Sequence, residues 1–168
     1  MFLWSTPARR TANQHVNSAS SRRVLAVSSG GGHWVQLLRL RPAFAESEVS
    51  YVTVDRAYAA DVPGMRFHAI VDATRWNKLK LVRMALQIVW ILIRERPDMI
   101  ISTGAAPGYF ALRIGKWLGA RTVWIDSIAN VERLSLSGQR IGPYADLWLT
   151  QWPHLARSEG PHFLGGVL

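Results

Sequence analysis

Four short segments of the 168-residue chain hold residues whose types and spacing could do chemistry. The first, VSSGGGHW, sets Gly30, Gly31 and Gly32 directly before His33. Three glycines let the backbone turn tightly and bring its amides against a ligand, and a helix opening there adds a positive dipole, so phosphate or diphosphate is the natural guest. The segment has neither the G-x-G-x-x-G spacing of dinucleotide sites nor the lysine of a P-loop. Histidine is the side chain suited to proton transfer near neutral pH, so His33 is a candidate base or acceptor-orienting group; a capping or packing role is the plainer alternative. The second segment, STGAAPGYF, places Thr103 and Gly104 ahead of Pro107, which suits a first helical turn. The third, WIDSIANVERLSLSG, gathers Asp126, Ser127, Asn130, Glu132 and Arg133. Its two carboxylates could do acid–base work, yet Asp126 and Ser127 could equally cap a helix, and neither a Ser/His/Asp order nor a metal-ligand spacing emerges. The fourth, ADLWLTQWPHL, ends an apolar run in Gln151, Trp152 and Pro153, which core packing explains less well than it explains Leu147 and Leu149.

A scaffold must bring these segments together. From Arg22 onward, short apolar β-branched runs alternate with helical stretches, the pattern of an α/β domain with a mainly parallel sheet. Strands are expected at Val24 to Ser28, Val49 to Val54, Phe67 to Ile70, Met99 to Ser102, Thr122 to Asp126 and Leu147 to Thr150, and helices near Trp34 to Leu40, Asn77 to Glu95 and Pro107 to Leu118. The four segments follow strands, and in such sheets ligands bind at the carboxyl ends of the strands. Residues 22 to 168 are expected to form one domain. Residues 1 to 21 lack periodicity, contain only the apolar run Phe2 to Trp4, and read as a disordered basic tail outside the fold, neither a signal peptide nor a membrane span.

Charge and hydrophobicity point to a surface. The formal net charge is +9, and residues 1 to 45 carry six arginines and no acidic residue. A second basic group, Arg75, Lys78, Lys80, Arg83, Arg94 and Arg96, brackets the most hydrophobic stretch of the protein. That stretch lies in the helix expected from Asn77 to Glu95 and falls short of the roughly 18 to 20 apolar residues that cross a bilayer. Trp76 and Trp90 with flanking Lys78, Lys80 and Arg83 suit an anionic membrane interface better than nucleic acid, the alternative being a solvated helix face. The absence of cysteine excludes disulfides, thiolate metal sites and thiol nucleophiles.

Read in chain order, SSGGGH, ISTGAAPG, WIDSIANVERLSLSG, YADLWLTQWPHL and FLGGVL resemble the family of asparagine-linked glycosylation protein fourteen and its bacterial PssD-type relatives in exopolysaccharide and capsule synthesis, from Arg22 to Leu168. The resemblance implies a Rossmann-like parallel sheet with helices on both faces, one half of a GT-B glycosyltransferase similar to the amino-terminal domain of MurG. It implies a partner resembling asparagine-linked glycosylation protein thirteen that binds the nucleotide sugar. This chain would bring the polyprenyl-diphosphate-linked acceptor and a peripheral contact with the cytoplasmic face of the membrane. Neither a metal nor another cofactor is implied. By position, Gly30, Gly31, Gly32 and His33 match the family's GGH motif, Thr103 and Gly104 its second glycine loop, and Asp126, Ser127, Glu132 and Ser137 its polar segment. The family commonly has Glu-Ser where this chain has Asp126 and Ser127. His33 is thus the first candidate base, with Glu132 and Asp126 behind it. The three glycines, Thr103, Gly104 and Ser127 are the candidate acceptor contacts. The rival readings are a non-catalytic scaffold that anchors and activates a catalytic partner, and a nucleotide-binding regulatory domain, which the missing nucleotide motifs oppose.

Overall fold

Strands covered on both faces are selected for unbroken apolar, β-branched runs rather than for alternation. The computed structural model describes residues 21–74 and 76–167; Arg75 and residues 1–20 of the expected tail lie outside the described residues. Seven strands occur among the described residues, the central ones of this kind: β1 (Arg23–Val27), β2 (Glu48–Thr53), β3 (Arg66–Ala69), β4 (Met99–Ser102), β5 (Arg121–Ile125), β6 (Leu147–Thr150) and β7 (His162–Phe163). Their order across the sheet is β3-β2-β1-β4-β5-β6-β7, and every neighbouring pair is parallel. The helices are α1 (Gly32–Arg39), α2 (Lys78–Glu95), α3 (Ala105–Trp117) and α4 (Leu136–Ile141).

The six expected strands stand within one residue of their places, whereas α4 and β7 are additions that the sequence reading did not assign. Helix α1 starts at Gly32 rather than Trp34, and α3 at Ala105 rather than Pro107, so His33 and Pro107 lie inside first turns. Ser21, expected in the tail, is tied to the domain by its hydroxyl, which donates to the Glu46 carbonyl at 3.3 Å.

Each face of the sheet carries its own core. On one, Leu25, Val27, Val52, Ile100 and Trp124 meet Met84, Ile88, Ile91 and Leu92 of α2, Ala111 and Leu112 of α3, and Ile141 of α4. On the other, Val24, Ala26, Val49, Tyr51 and Ile125 meet Trp34 and Leu37 of α1 and Phe44. Helix α3 lies close against the strands because Gly108 and Gly115 face Ser102 and Ile100, where a Cβ would collide.

Helix α2 has two apolar sides. Asn77 caps its start by accepting from the Lys80 amide at 3.0 Å, and Arg96, in the left-handed region with φ 46°, ends it ahead of Pro97. Met84, Ile88, Ile91 and Leu92 face the sheet, while Leu79, Val82, Leu86, Trp90 and Ile93 form an exposed stripe at helical spacing. Gln87, the polar break in the run, accepts from the Val71 amide at 2.9 Å and holds the loop after β3. Among the described residues no helix is long and apolar enough to cross a membrane.

The carboxyl end of α2 is fixed to the sheet by Glu95, only 8% exposed. Its carboxylate accepts from the Ser50 hydroxyl at 2.7 Å and from His68 Nε2 at 3.0 Å, and pairs with the Arg66 guanidinium at 3.3 Å. Burial alone would raise this carboxyl, but the hydrogen bonds from Ser50 and His68 and the charges of His68 and Arg66 outweigh it and hold it below its ordinary value. A depressed carboxylate stabilises the fold above its unfolded-state value and loses that contribution as pH falls through the folded one. Glu95→Gln is therefore expected to lower the urea midpoint at pH 7 and to flatten its decline between about pH 5 and pH 3. Paired urea titrations across that range check this.

Candidate functional site

The chain builds the sheet outward in two directions from β1, with β2 and β3 on one side and β4 onward on the other. The seam between β1 and β4 is therefore a topological switch point, the usual place for a ligand in such sheets. The loops after β1 and β4 bend sharply: Gly31 has φ 64°, Gly104 φ 144°, and Ala105, without glycine's freedom, φ 62°.

His33 bridges that seam. Its Nδ1–H donates to the Thr103 carbonyl at 2.9 Å, and the Thr103 hydroxyl donates to the His33 carbonyl at 2.7 Å. A carbonyl only accepts, so in the neutral ring the proton sits on Nδ1 and the lone pair on Nε2. A Cβ at Gly104 would stand 2.5 Å from His33 Cε1, which is why this loop needs glycine beside the imidazole.

The glycine loop is held from outside by the segment after β2. Trp34, next to His33 and 1% exposed, donates its indole N–H to Asp61 at 2.8 Å and stacks within 5.2 Å of Tyr58. Tyr58 in turn accepts from the Gly31 amide at 2.8 Å. The Trp34 and Val35 amides both close on the Gly31 carbonyl, so the first-turn amides of Gly32 and His33 have no hydrogen-bond acceptor among the described residues. A Cβ at Gly31 or Gly32 would meet nothing within 4 Å.

The expected acceptor contacts thus divide. Gly31 and Gly32 face open space, and Gly30 lies against the Tyr58 ring. Thr103 is buried with its carbonyl and hydroxyl given to His33, and the Gly104 amide donates to Ser102 Oγ at 3.1 Å. These two residues hold the histidine.

Asp126 occupies a different place from the one expected of a base. It is 1% exposed, with Oδ1 accepting from the Ser127 amide at 2.9 Å and from Asn130 Nδ2 at 2.7 Å, and Oδ2 from the Ser135 amide at 3.0 Å. These three hydrogen bonds make the carboxylate a shaping element of the turn between β5 and α4. Ser127, 6% exposed, accepts at 3.3 Å from both Gln36 Nε2 and the Ala129 amide, so its hydroxyl oxygen also serves this framework. Glu132 is exposed on the same segment, and no hydrogen bond or ion pair engages its side chain among the described residues. Ser137 lies in α4, half-buried.

The Gln-Trp-Pro-His sequence after β6 finds its explanation here. Gln151 Nε2 donates to the Asp126 carbonyl at 2.9 Å, Trp152 Nε1 to the Ile128 carbonyl at 2.8 Å and His154 Nε2 to the Val131 carbonyl at 2.7 Å. Three side chains within four residues thereby clamp the backbone of the segment that carries Glu132. Gln36, buried in α1, accepts from Gln151 at 3.3 Å and links this clamp to the His33 helix. Neither Gln36 nor Tyr58 was singled out from sequence; only the oddity of Gln151 and Trp152 hinted at this network.

The expected membrane residues are all on or beside α2. Trp76 is 81% and Trp90 56% exposed, and Lys78, Lys80 and Arg83 are exposed beside the stripe. Arg94 lies over the Trp90 ring, 5.3 Å from its centroid. Among the described residues no group of three His, Asp or Glu is placed to hold a metal ion.

The fold has known counterparts. MurG from Acinetobacter baumannii superposes with a TM-score of 0.70 over 86% of this chain and 45% of that chain, at 11% identity. A UDP-N-acetylglucosamine 2-epimerase from Rickettsia bellii gives 0.61 over 80% of this chain and 40% of that one, at 12% identity. Likeness at such identity establishes a shared fold, the Rossmann-like half of a GT-B architecture. In sequence, the chain is 29% identical over 177 residues to the mouse protein named UDP-N-acetylglucosamine transferase subunit ALG14, covering 84% of this chain and 80% of that protein. It is 24% identical over 142 residues to the protein of the same name from Yarrowia lipolytica, where it covers 81% of this chain but only 62% of the relative's length. Residues 62–167, well over half of the chain, match the family described as oligosaccharide biosynthesis protein Alg14 like, so the chain belongs to that family.

Proposed function

We propose that the chain is the acceptor-side, membrane-associating subunit of a two-subunit glycosyltransferase. It moves a sugar from a nucleotide sugar to a polyprenyl-diphosphate-linked saccharide at the cytoplasmic face of the membrane, in polysaccharide synthesis of the bacterial type. A second chain resembling asparagine-linked glycosylation protein thirteen supplies the nucleotide-sugar site. UDP-N-acetylglucosamine is the first donor to test, because the relatives are named as its transferase subunits. The observation that carries the reading is the His33–Thr103 pairing, which aims one basic ring nitrogen from the switch point of a GT-B half.

In this scheme His33 Nε2 takes the proton of the acceptor hydroxyl as its oxygen attacks the anomeric carbon. The bond from that carbon to the nucleoside diphosphate breaks with inversion. The imidazolium that forms keeps its Nδ1–H on the Thr103 carbonyl, so the ring does not turn as it charges. The first-turn amides of Gly32 and His33 face the acceptor's diphosphate, where the helix dipole favours negative charge. Glu132 is the second candidate base, and Asp126 is assigned to positioning. The leaving diphosphate is stabilised by the partner.

The exposed stripe supports the membrane half of the reading. Burying a large apolar side chain contributes about 1.5–3 kcal/mol, and α2 leaves five of them in water beside basic residues. The scaffold alternative draws on the same stripe, and the two readings separate at His33.

Reconstituted with its partner, His33→Ala is expected to lower turnover by roughly 100-fold, with the circular dichroism spectrum unchanged. Gly104→Ala should lower it comparably by displacing the ring. Full activity in both, with the pair still assembled, would favour the scaffold. The chain alone is expected to transfer no sugar, and robust transfer without the partner would overturn the two-subunit reading. On anionic vesicles the chain should pellet and be released in part by salt, since each basic side chain near the surface contributes about 1 kcal/mol that ions screen. Substituting Lys78, Lys80 and Arg83 by Gln should remove the salt-sensitive part alone, and a wild-type chain left wholly in the supernatant would refute membrane contact.

A further inference from the structure

A groove of about 550 Å3 opens beside the His33 site, walled by Ala73, Leu81, Ala106, Tyr109, Phe110 and Leu136. Its volume is that of a small-molecule site, about 300–1,000 Å3. Arg140 is its one charged lining residue, and Ser137 adds a hydroxyl. No ion pair engages Arg140 among the described residues. Its lining includes a neighbour of the site and a neighbour of the exposed stripe. Ala105, in its wall, follows Gly104, which packs on the His33 ring, and carries the left-handed φ of 62°. Leu81, in the opposite wall, belongs to the first turn of α2, between the stripe residues Leu79 and Val82.

An occupant that matches this lining is mostly apolar and carries an anionic group for Arg140. We propose that the groove holds the first isoprene units of a prenyl diphosphate, with Arg140 and Ser137 on the phosphate next to the lipid and the Gly32 and His33 amides left to the phosphate next to the sugar. This rests on the acceptor-side reading above and adds to it a place for the lipid part of the acceptor. The polar end is held near His33 by the protein, and the remainder of the prenyl chain leaves along α2 toward the membrane. Backbone strain at Ala105 fits this use, since it turns the start of α3 so that Ala106, Tyr109 and Phe110 form one wall.

The test is calorimetric titration of the full chain with farnesyl diphosphate, inorganic diphosphate, farnesol and dioctanoyl phosphatidylglycerol. Farnesyl diphosphate is expected to bind at least about tenfold more tightly than each of the others. Ala106→Trp, which fills the groove, should weaken it at least about tenfold, and Arg140→Gln should weaken farnesyl diphosphate while leaving farnesol unchanged. Tyr109→Ala, which opens the wall, gives a second reading if Ala106→Trp fails to fold by circular dichroism. Equal binding of phosphatidylglycerol would make the groove a general anionic-lipid site and overturn the proposal, as would wild-type affinity in the folded groove variants. The transfer assay keeps the two ideas apart: a pair that glycosylates a prenyl-linked acceptor with the same KM in wild type and Ala106→Trp sinks the groove and leaves the acceptor-side reading standing, whereas tight farnesyl diphosphate binding without transfer to any acceptor does the reverse.

Discussion

The reciprocal pair of hydrogen bonds between His33 and Thr103 is the constraint on which the rest of the site depends. A loop that leaves one strand and a loop that leaves its neighbour would ordinarily diverge. Here each donates a side-chain hydrogen to the other's carbonyl, at 2.9 and 2.7 Å, across the central seam of the sheet. The glycines follow from this pairing: Gly104 makes room for the ring, and Gly31 turns the chain so that the ring can reach. Because β1 is paired on both sides, by β2 and β4, the histidine follows an interior strand of the sheet rather than an edge.

Around that fixed point the polar segment after β5 is arranged by side chains distant in sequence. Asp126 gathers donors from Ser127, Asn130 and Ser135, while Gln151, Trp152 and His154 take the carbonyls of Asp126, Ile128 and Val131. Buried polar groups demand partners, and here those demands are met mutually, so an irregular stretch acquires one conformation without regular structure. The Asp126 carboxylate thus has a framework task that its place in the sequence does not display.

Most of the sheet was legible because buried parallel strands leave contiguous apolar runs, as in VLAV and MIIS. Helix α4 was not, because its six residues LSGQRI are too few to display a period. Strand β7 was missed because two residues carry no pattern. His33 and the glycines could be read as a site because a glycine run before a histidine is chemically unusual. Thr103 could be read as part of that site but not as the partner of the histidine, since half of the pairing uses its backbone carbonyl, a group every residue has. The outward stripe of α2 was readable only as excess hydrophobicity; which residues face out depends on the phase of the helix against the sheet, and that phase is set by Met84 and Ile88 finding their neighbours.

The direction of α2 fixes how the molecule can lie. The helix connects β3 to β4, two strands of the same sense, and so runs back along the sheet from its carboxyl edge to its amino edge. Its 18 residues rise about 1.5 Å each, more than the full height of strands of four to six residues, and the stripe occupies most of that length. Any flat layer that touches Leu79 and Ile93 together must then lie parallel to the strands rather than across their ends. In the membrane-bound arrangement proposed above, the carboxyl edge of the sheet that bears His33 stands beside that layer, so that an acceptor would reach it by lateral diffusion within a plane instead of by descent from the bulk.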